Sequence, residues 1–326
     1  MAVQRAVRVQ THPSESCLAM AERPNVGNYV IISPVRDEES YVEKTVRSVV
    51  GQSLRPRKWI VVDDGSRDAT PQVLARYADQ CPWITVVRLP RDGERKPGSA
   101  VIAAFMAGYE LIKNDDFDFV VKLDCDLDIP EKYFETLIGR FQADPKLGIA
   151  SGIYLEEQRQ TWRPVKMPKY HAAGCSKMVR GECFRQIGGF IPNRGWDTVD
   201  EIRARAMNWK TCHFEDIAIR HLKPEGTGIG ARRTNLMLGH IYYLTGGGTL
   251  FFLIKCLHRL VFGKPIVLGG IAMFVGFMQA RMKGERRLVS DREAFLYRRL
   301  LNERILAPWA GVLDRLRPVR NREGWS

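Results

Sequence analysis

Trp59-Ile-Val-Val-Asp-Asp-Gly-Ser-Arg-Asp68 is the stretch that decides the fold. A short apolar run that stops at turn residues suits a strand buried on both faces. Here the strand ends in carboxylates, and Gly65 lets the chain turn tightly behind them. Upstream, Tyr29-Val-Ile-Ile-Ser-Pro-Val35 is a second such run, and a helical pattern follows from about Glu39 to Gln52. Downstream, the pattern predicts a helix over 70–79, a strand over 84–88, a helix over 98–112 and a strand over 117–123 that ends at Asp124-Cys-Asp126. Pro130 suits the first turn of a helix running to about Phe141. Strands alternating with helices imply an α/β, doubly wound, mostly parallel sheet, whose ligands bind beyond the carboxyl ends of the strands. Three such ends carry polar, charge-rich tips: Arg36-Asp-Glu-Glu39, Asp63–Asp68 and Asp124–Asp128.

Past residue 148 the pattern becomes mixed. A strand-like Ile149–Leu155 leads to a loop with Gly174-Cys-Ser-Lys-Met-Val-Arg180, then a helix to Gly188-Gly189. Gly195-Trp-Asp-Thr-Val-Asp-Glu201 opens another helix, and a strand-like Thr211–Ile219 ends at Arg220-His221. After Gly226 the character changes. Gly248–Phe262 and Pro265–Met278 are strongly apolar, but shorter than the roughly 20 residues a spanning helix needs. They read as a helical hairpin that dips into a membrane interface or packs on the sheet.

The 326 residues, 45% hydrophobic, are enough for a packed core, which excludes disordered and fibrous classes. Seven scattered Cys without a C-x-x-C exclude a disulfide framework or structural zinc site and fit a reducing compartment. The polar first 28 residues lack the apolar core of a secretory signal. The net charge of +13 is uneven: residues 220–326 carry 19 Lys and Arg against 7 acids, whereas residues 1–219 are nearly balanced. That asymmetry predicts an anionic partner. The segmentation expected is a flexible leader over 1–27, a catalytic domain over 28–225 and a basic, apolar helical region over 226–326.

The spacing of Asp124 and Asp126 at a strand end lets both carboxylates turn toward one hard cation, Mg2+ or Mn2+, which favours carboxylates plus substrate phosphates. A carboxylate at the end of the Asp63/Asp64 strand can accept from a base N–H or a ribose hydroxyl. No G-x-G-x-x-G or G-x-x-x-x-G-K-[ST] follows any strand, which argues against nicotinamide cofactors and P-loop chemistry.

Pro34-Val-Arg-Asp-Glu-Glu39, Val61-Val-Asp-Asp-Gly-Ser-Arg-Asp68 and Asp124-Cys-Asp126 together resemble the inverting family 2 glycosyltransferases with the GT-A fold, in order and spacing along about residues 29–222. The resemblance implies a GT-A-like sheet, with Pro34, Val35, Arg36, Glu38, Asp63, Asp64 and Asp124 on the nucleotide-sugar. Lys96-Pro-Gly-Ser99 stands at the family's Gly-rich segment, which adds Lys96 to that set. The resemblance puts the metal on Asp124 and Asp126, with His221, about 24 residues past Asp197, as a third ligand. Inversion by direct displacement needs a base on the face opposite the leaving nucleotide. After Gly188-Gly-Phe190 the family carries Glu-Asp; here Trp196 stands at the Glu, and Asp197 aligns with the base. Asp200, one helical turn on, is its rival. The Q-x-x-R-W of processive members is not matched by Gln279-Ala-Arg-Met, which implies single additions.

The expected function is therefore inverting hexosyl transfer from a UDP- or GDP-sugar to a lipid-linked or polysaccharide acceptor in cell-envelope glycan synthesis. The expected site of action is the cytoplasmic face of an anionic membrane, with peripheral or monotopic attachment. A close variant transfers the sugar onto polyprenyl phosphate itself. A sugar-nucleotidyltransferase would want a basic Gly-rich loop after the first strand, where Arg36-Asp-Glu-Glu39 is acidic. A non-enzymatic membrane binder is the remaining class, and no nucleic acid is expected as partner.

Overall fold

The structure, a computed structural model, describes residues 27–90, 99–223, 230–262 and 266–306. The leader expected over 1–27 lies outside them except for Gly27. Contacts divide the chain into two units, Met1–Thr227 and Gly228–Ser326.

In the first unit the order is β1 (Tyr29–Val35), α1 (Val42–Val50), β2 (Lys58–Asp63), α2 (Thr70–Gln80), β3 (Ile84–Arg88), α3 (Ser99–Glu110), β4 (Phe119–Leu123), β5 (Leu127–Asp128), α4 (Tyr133–Ala143), β6 (Leu147–Gln158), β7 (Thr161–Pro164), β8 (Ser176–Arg180), α5 (Gly181–Gln186), α6 (Trp196–Ala206) and β9 (Lys210–His221). The strands form one sheet in the order β3-β2-β1-β4-β8-β6-β9-β5, with β7 paired to β6. The β3-β2-β1-β4 half is parallel, as the alternation of strands and helices requires. Beyond it β8 runs antiparallel to both β4 and β6, while β6 and β9 are parallel. The sheet is mixed, with its parallel half carrying the motif-bearing strands.

The apolar runs follow from burial on both faces. Tyr29 and Ile31 of β1 enter one core with Val42, Val46 and Val49 of α1 and Phe134 of α4. Val30 and Ile32 enter the other with Phe105 of α3 and Phe184 of α5. A strand covered on both sides has no polar face, so its sequence does not alternate. Gly108 of α3 lies where a Cβ would come within 2.8 Å of Ile32, so a side chain there would push the helix off the sheet.

Three local outcomes differ from the sequence pattern. The Gly174–Arg180 segment, expected as a loop, contains β8, an interior strand. Lys177 interrupts its apolar run, yet is wholly buried among the carboxylates of α6. Pro130, expected in the first turn of its helix, lies before it: α4 begins at Tyr133 without a side-chain cap, and Asp128, an expected helix cap, lies in β5 and pairs with Lys44 at 3.0 Å. Helices in the second unit also flank the apolar pair on both sides, in the stretches 231–244 and 291–306.

The second unit holds α7 (Ala231–Leu244), α8 (Thr249–Phe262), α9 (Leu268–Met282) and α10 (Asp291–Leu306). A Cβ at Gly239 of α7 would fall 1.8 Å from the Met273 carbonyl oxygen, so glycine lets α7 and α9 meet backbone to backbone. Tyr242, Phe252 and Phe277 stack in its core, with Phe252 and Phe277 centroids 4.4 Å apart. On α8 five outward residues are apolar: Leu250, Leu253, Ile254, Leu257 and Val261 are each more than two-fifths exposed, while Lys255 and His258 are exposed beside them. Among the described residues no helix is long and apolar enough to cross a membrane.

Candidate active site

A cavity of about 450 Å³ opens at the carboxyl ends of β1 and β4. The loop after β1 builds one side of it, and the loop after β2 holds that loop in place. After β1, Asp37 takes a left-handed backbone, φ 53°, and its N–H donates to Ser66 Oγ at 3.0 Å. Asp37 Oδ1 accepts from the Arg67 N–H, Glu38 N–H donates to Thr70 Oγ1, and the side chains of Glu39 and Asp68 each accept from the other loop's backbone. The two acidic tips are therefore one hydrogen-bonded structure, and this reciprocity explains why both need short polar residues at fixed spacing.

Of the residues the sequence singled out, Pro34, Val35, Arg36, Glu38, Asp124, Asp126, Asp197 and His221 line this cavity. Asp63 and Asp64 are buried and do not line it. Asp63 Oδ1 accepts from the Ser66 N–H at 2.8 Å, and Oδ2 lies 3.4 Å from Arg88 Nε, so this carboxylate holds the turn. Lys96 lies outside the described residues. Asp197 and Asp200 separate: Asp197 stands on the cavity wall in the first turn of α6, whereas Asp200 is buried on Lys177 Nζ at 3.0 Å and does not line the cavity.

Three groups that sequence reasoning passed over belong to the site: Lys122 lines the cavity, Lys177 is buried behind it and His171 lines it as well. Lys122 of β4 and Lys177 of β8 are register partners across the antiparallel pair. Lys122 Nζ donates to Asp124 Oδ1 at 2.5 Å. Both ammonium groups stand over the Trp196 ring, 5.5 and 5.2 Å from its centroid. His171 also lines the cavity, its Nδ1 3.0 Å from Glu201 Oε2. A lysine inside an apolar strand was the available signal for the first two; His171 lies in an irregular segment with no pattern to mark it.

Burial pushes the Asp124 carboxyl above its ordinary range, Lys122 pulls it down and Asp126 pushes it up again. Asp126 Oδ2 lies 3.3 Å from His221 Nε2, and Asp126 Oδ1 is buried without a hydrogen-bond partner among the described residues. An orphaned carboxylate oxygen beside a second acid suits a hard divalent cation that completes its shell from substrate phosphates. Among the described residues no three His, Cys, Asp or Glu side chains are gathered as a complete metal cage. Lys223, just past β9, pairs with Glu38 at 2.7 Å and so joins the last strand to the first loop.

Comparison with known proteins gives the family. The chain is 25% identical over 279 residues to an undecaprenyl-phosphate 4-deoxy-4-formamido-L-arabinose transferase of Pseudomonas aeruginosa, covering 76% of this chain and 78% of that one. It is 28% identical over 116 residues to a poly-beta-1,6-N-acetyl-D-glucosamine synthase of Staphylococcus aureus, 36% of this chain and 26% of that one. A mannosyltransferase from Pyrobaculum calidifontis, solved with GDP-Man and Mn2+, aligns over 91% of this chain and 87% of its own at 17% identity and a TM-score of 0.49. The family model for glycosyl transferase family 2 matches residues 30–195, just over half of the chain. The chain belongs to that family and is a glycosyltransferase.

Proposed function

We propose that this glycosyltransferase moves a sugar from a nucleotide-sugar donor onto a polyprenyl phosphate at an anionic membrane surface. What carries the acceptor is the reach of the similarity: the relative named for undecaprenyl phosphate aligns across three quarters of this chain, whereas the polymer synthase aligns over little more than a third. The exposed stripe Leu250, Leu253, Ile254, Leu257 and Val261 supports the membrane. Its i, i+3, i+4, i+7 spacing makes one continuous apolar face, and the helix lies in a region rich in Lys and Arg. Such a helix lies in the headgroup boundary rather than across the bilayer.

In this reading the β1 loop, with Arg36 and Glu38, meets the nucleotide. Asp124 and Asp126 would hold a divalent Mn2+ or Mg2+, with His221 beside Asp126. When bound, that ion neutralises charge on the departing diphosphate. An acceptor oxygen attacks the anomeric carbon from the far side, the bond to the diphosphate breaks, and configuration inverts. Asp197 takes the proton where the attacking group is a hydroxyl or a singly ionised phosphate; a fully ionised phosphate attacks without one. A phosphate needs less help than a hydroxyl, because its second ionisation lies at about pH 6.

A second reading, transfer to a glycan hydroxyl, is favoured by one observation: Asp197 lines the cavity, and Lys177 bonds its backbone carbonyl, whereas it grips the carboxylate of Asp200. The test is transfer from a panel of labelled UDP- and GDP-sugars, with Mn2+ or Mg2+, to undecaprenyl phosphate in vesicles containing phosphatidylglycerol. Label in the organic phase supports the proposal. Label confined to added oligosaccharide moves the acceptor to the second reading. A Leu253→Glu, Leu257→Glu variant should leave the vesicles while keeping donor binding; unaltered sedimentation with vesicles overturns the membrane part.

A further inference from the structure

Behind Asp197 stands a buried cluster that transfer chemistry does not by itself require. Lys177, 0% exposed, donates to the Asp197 carbonyl oxygen at 2.8 Å, to both Asp200 oxygens at 3.0 and 3.1 Å, and to Glu201 Oε1 at 3.2 Å. Glu201 Oε1 also accepts from the Ala172 N–H at 2.8 Å, and Oε2 meets His171 Nδ1 at 3.0 Å. One ammonium faces two carboxylates. An uncompensated charge in such surroundings costs several kcal/mol. The fourth member of the cluster, His171, can supply the missing positive charge.

Its surroundings favour that charge. Burial works against it, but the Glu201 carboxylate outweighs burial and holds the imidazole above its ordinary value of 6.5; Lys177 opposes and Asp197 assists. The other titratable groups packed around this segment are Asp200 on α6 and His213 on β9, whose Nδ1 lies 2.8 Å from the His171 carbonyl oxygen. With Nδ1 committed to Glu201, the ring's second nitrogen remains. His171 Nε2 makes no hydrogen bond among the described residues, and the ring, one-fifth exposed, lines the cavity with Trp196 and Asp197. A charged N–H backed by a buried carboxylate is a strong donor for an anion.

We propose that His171 binds the phosphate of the acceptor, its Nε2–H donating to a phosphate oxygen while Glu201 holds Nδ1–H. The assignment rests on the polyprenyl phosphate reading. A donor diphosphate has the same chemistry, and what favours the acceptor is that His171 shares its wall with Asp197, the group proposed to meet the attacking oxygen. A neutral acceptor would gain little from an imidazolium at this position, so the residue also selects phosphate over hydroxyl.

The experiment compares binding of farnesyl phosphate and farnesol by the full-length protein, followed by tryptophan fluorescence between pH 7 and 9, where the phosphate stays ionised. UDP and GDP with Mn2+ are titrated alongside. Wild type should prefer farnesyl phosphate, and the preference should fade as pH rises because the imidazolium is lost. His171→Gln should weaken farnesyl phosphate about tenfold at pH 7, abolish the pH dependence and leave UDP and GDP within twofold. His171→Lys should keep phosphate binding across the whole range. Unchanged farnesyl phosphate binding in His171→Gln overturns the proposal. So does an equal loss of UDP or GDP binding, which would give His171 to the donor. If wild type transfers sugar only to oligosaccharide and does not distinguish farnesyl phosphate from farnesol, the acceptor reading fails and this assignment falls with it.

Discussion

Two lysines stand side by side in the sheet, Lys122 on β4 and Lys177 on β8, and each grips a carboxylate. Their clusters have opposite characters. Around Lys177 every acid is buried and multiply bonded, so the charges close on one another and the ensemble behaves as structure. Around Lys122 the acids are Asp124 and Asp126; both line the cavity, and one oxygen of Asp126 is unmatched. The same residue types thus make a girder in one place and a receptor in the other. The difference is whether the local charge is completed by protein or left for a ligand. Trp196 touches both ammonium groups and joins the two.

If the Lys177 cluster is structural, removing its cation should have the largest effect. Lys177→Met leaves Asp200 buried without a cation and Glu201 with His171 alone, a loss of about 3–5 kcal/mol. Burial already raises the Asp200 carboxyl to about 7 despite Lys177. Without the lysine the Asp200 value rises further above that of the unfolded chain, and Glu201, which despite its burial Lys177 and His171 together hold below its ordinary range, is pushed up as well. Stability then persists at low pH and is lost as pH climbs through the folded values. Urea midpoints should therefore fall more at pH 8 than at pH 5.5. A flat pH response would mean that the cluster's charges are already neutral.

The Lys122 cluster should respond in activity instead. Asp126→Asn should reduce transfer by a factor on the order of 100 or more, since a charged contact to the diphosphate's counter-ion is lost. The melting temperature should stay within a few degrees, because Asp126 gives up an unmatched oxygen rather than a filled bond. Chelation by EDTA should silence the wild type reversibly. Full activity in EDTA would show that Lys122 and Arg36 suffice without a metal, and the comparison would lose its receptor half.

The legible and illegible parts of the sequence divide along the same line. The parallel strands could be read because burial on both faces removes polar residues from them, and the acidic tips because strand ends gather charged groups, some facing the cavity and some, like Asp63, holding the turn. Strand β8 could not, since Lys177 reads as solvent-facing until the carboxylates of α6, some 20 residues later, are brought onto it. Asp197 and Asp200 could not be ranked for a related reason. Both are acids at the start of one helix, and only the position of Lys177 decides which is immobilised. The mutual bonding of the Asp37–Glu39 and Ser66–Thr70 loops was legible as two motifs but not as one structure, because hydrogen bonds 30 residues apart leave no local pattern.

A smaller effect separates the two acids of α6. Asp197→Asn should lower kcat about 100-fold with a hydroxyl acceptor, the low end expected for a lost general base. With farnesyl phosphate, already ionised, the loss should be less than tenfold. Equal losses with both would assign Asp197 to orientation of the sugar rather than to the proton. Asp200→Asn should change stability before it changes kcat. The reverse result would make Asp200 the working acid and turn the girder into part of the receptor.

The smallest expected effect bears on the link between the clusters. Trp196 is nearly buried, and each lysine over its ring contributes on the order of 0.5–2 kcal/mol. Trp196→Phe keeps an aromatic face but weakens both contacts, so stability should fall by about 1–2 kcal/mol, with donor binding little altered. The informative measurement is a double-mutant cycle with Lys122→Met. If the ring joins the receptor to the girder, the lysine substitution should cost about 0.5–1 kcal/mol less in the Trp196→Phe background than in wild type. Strict additivity would mean that Trp196 fills space between two independent clusters. In that case Trp196 is a packing solution, and the charge around each lysine is set by its own cluster alone.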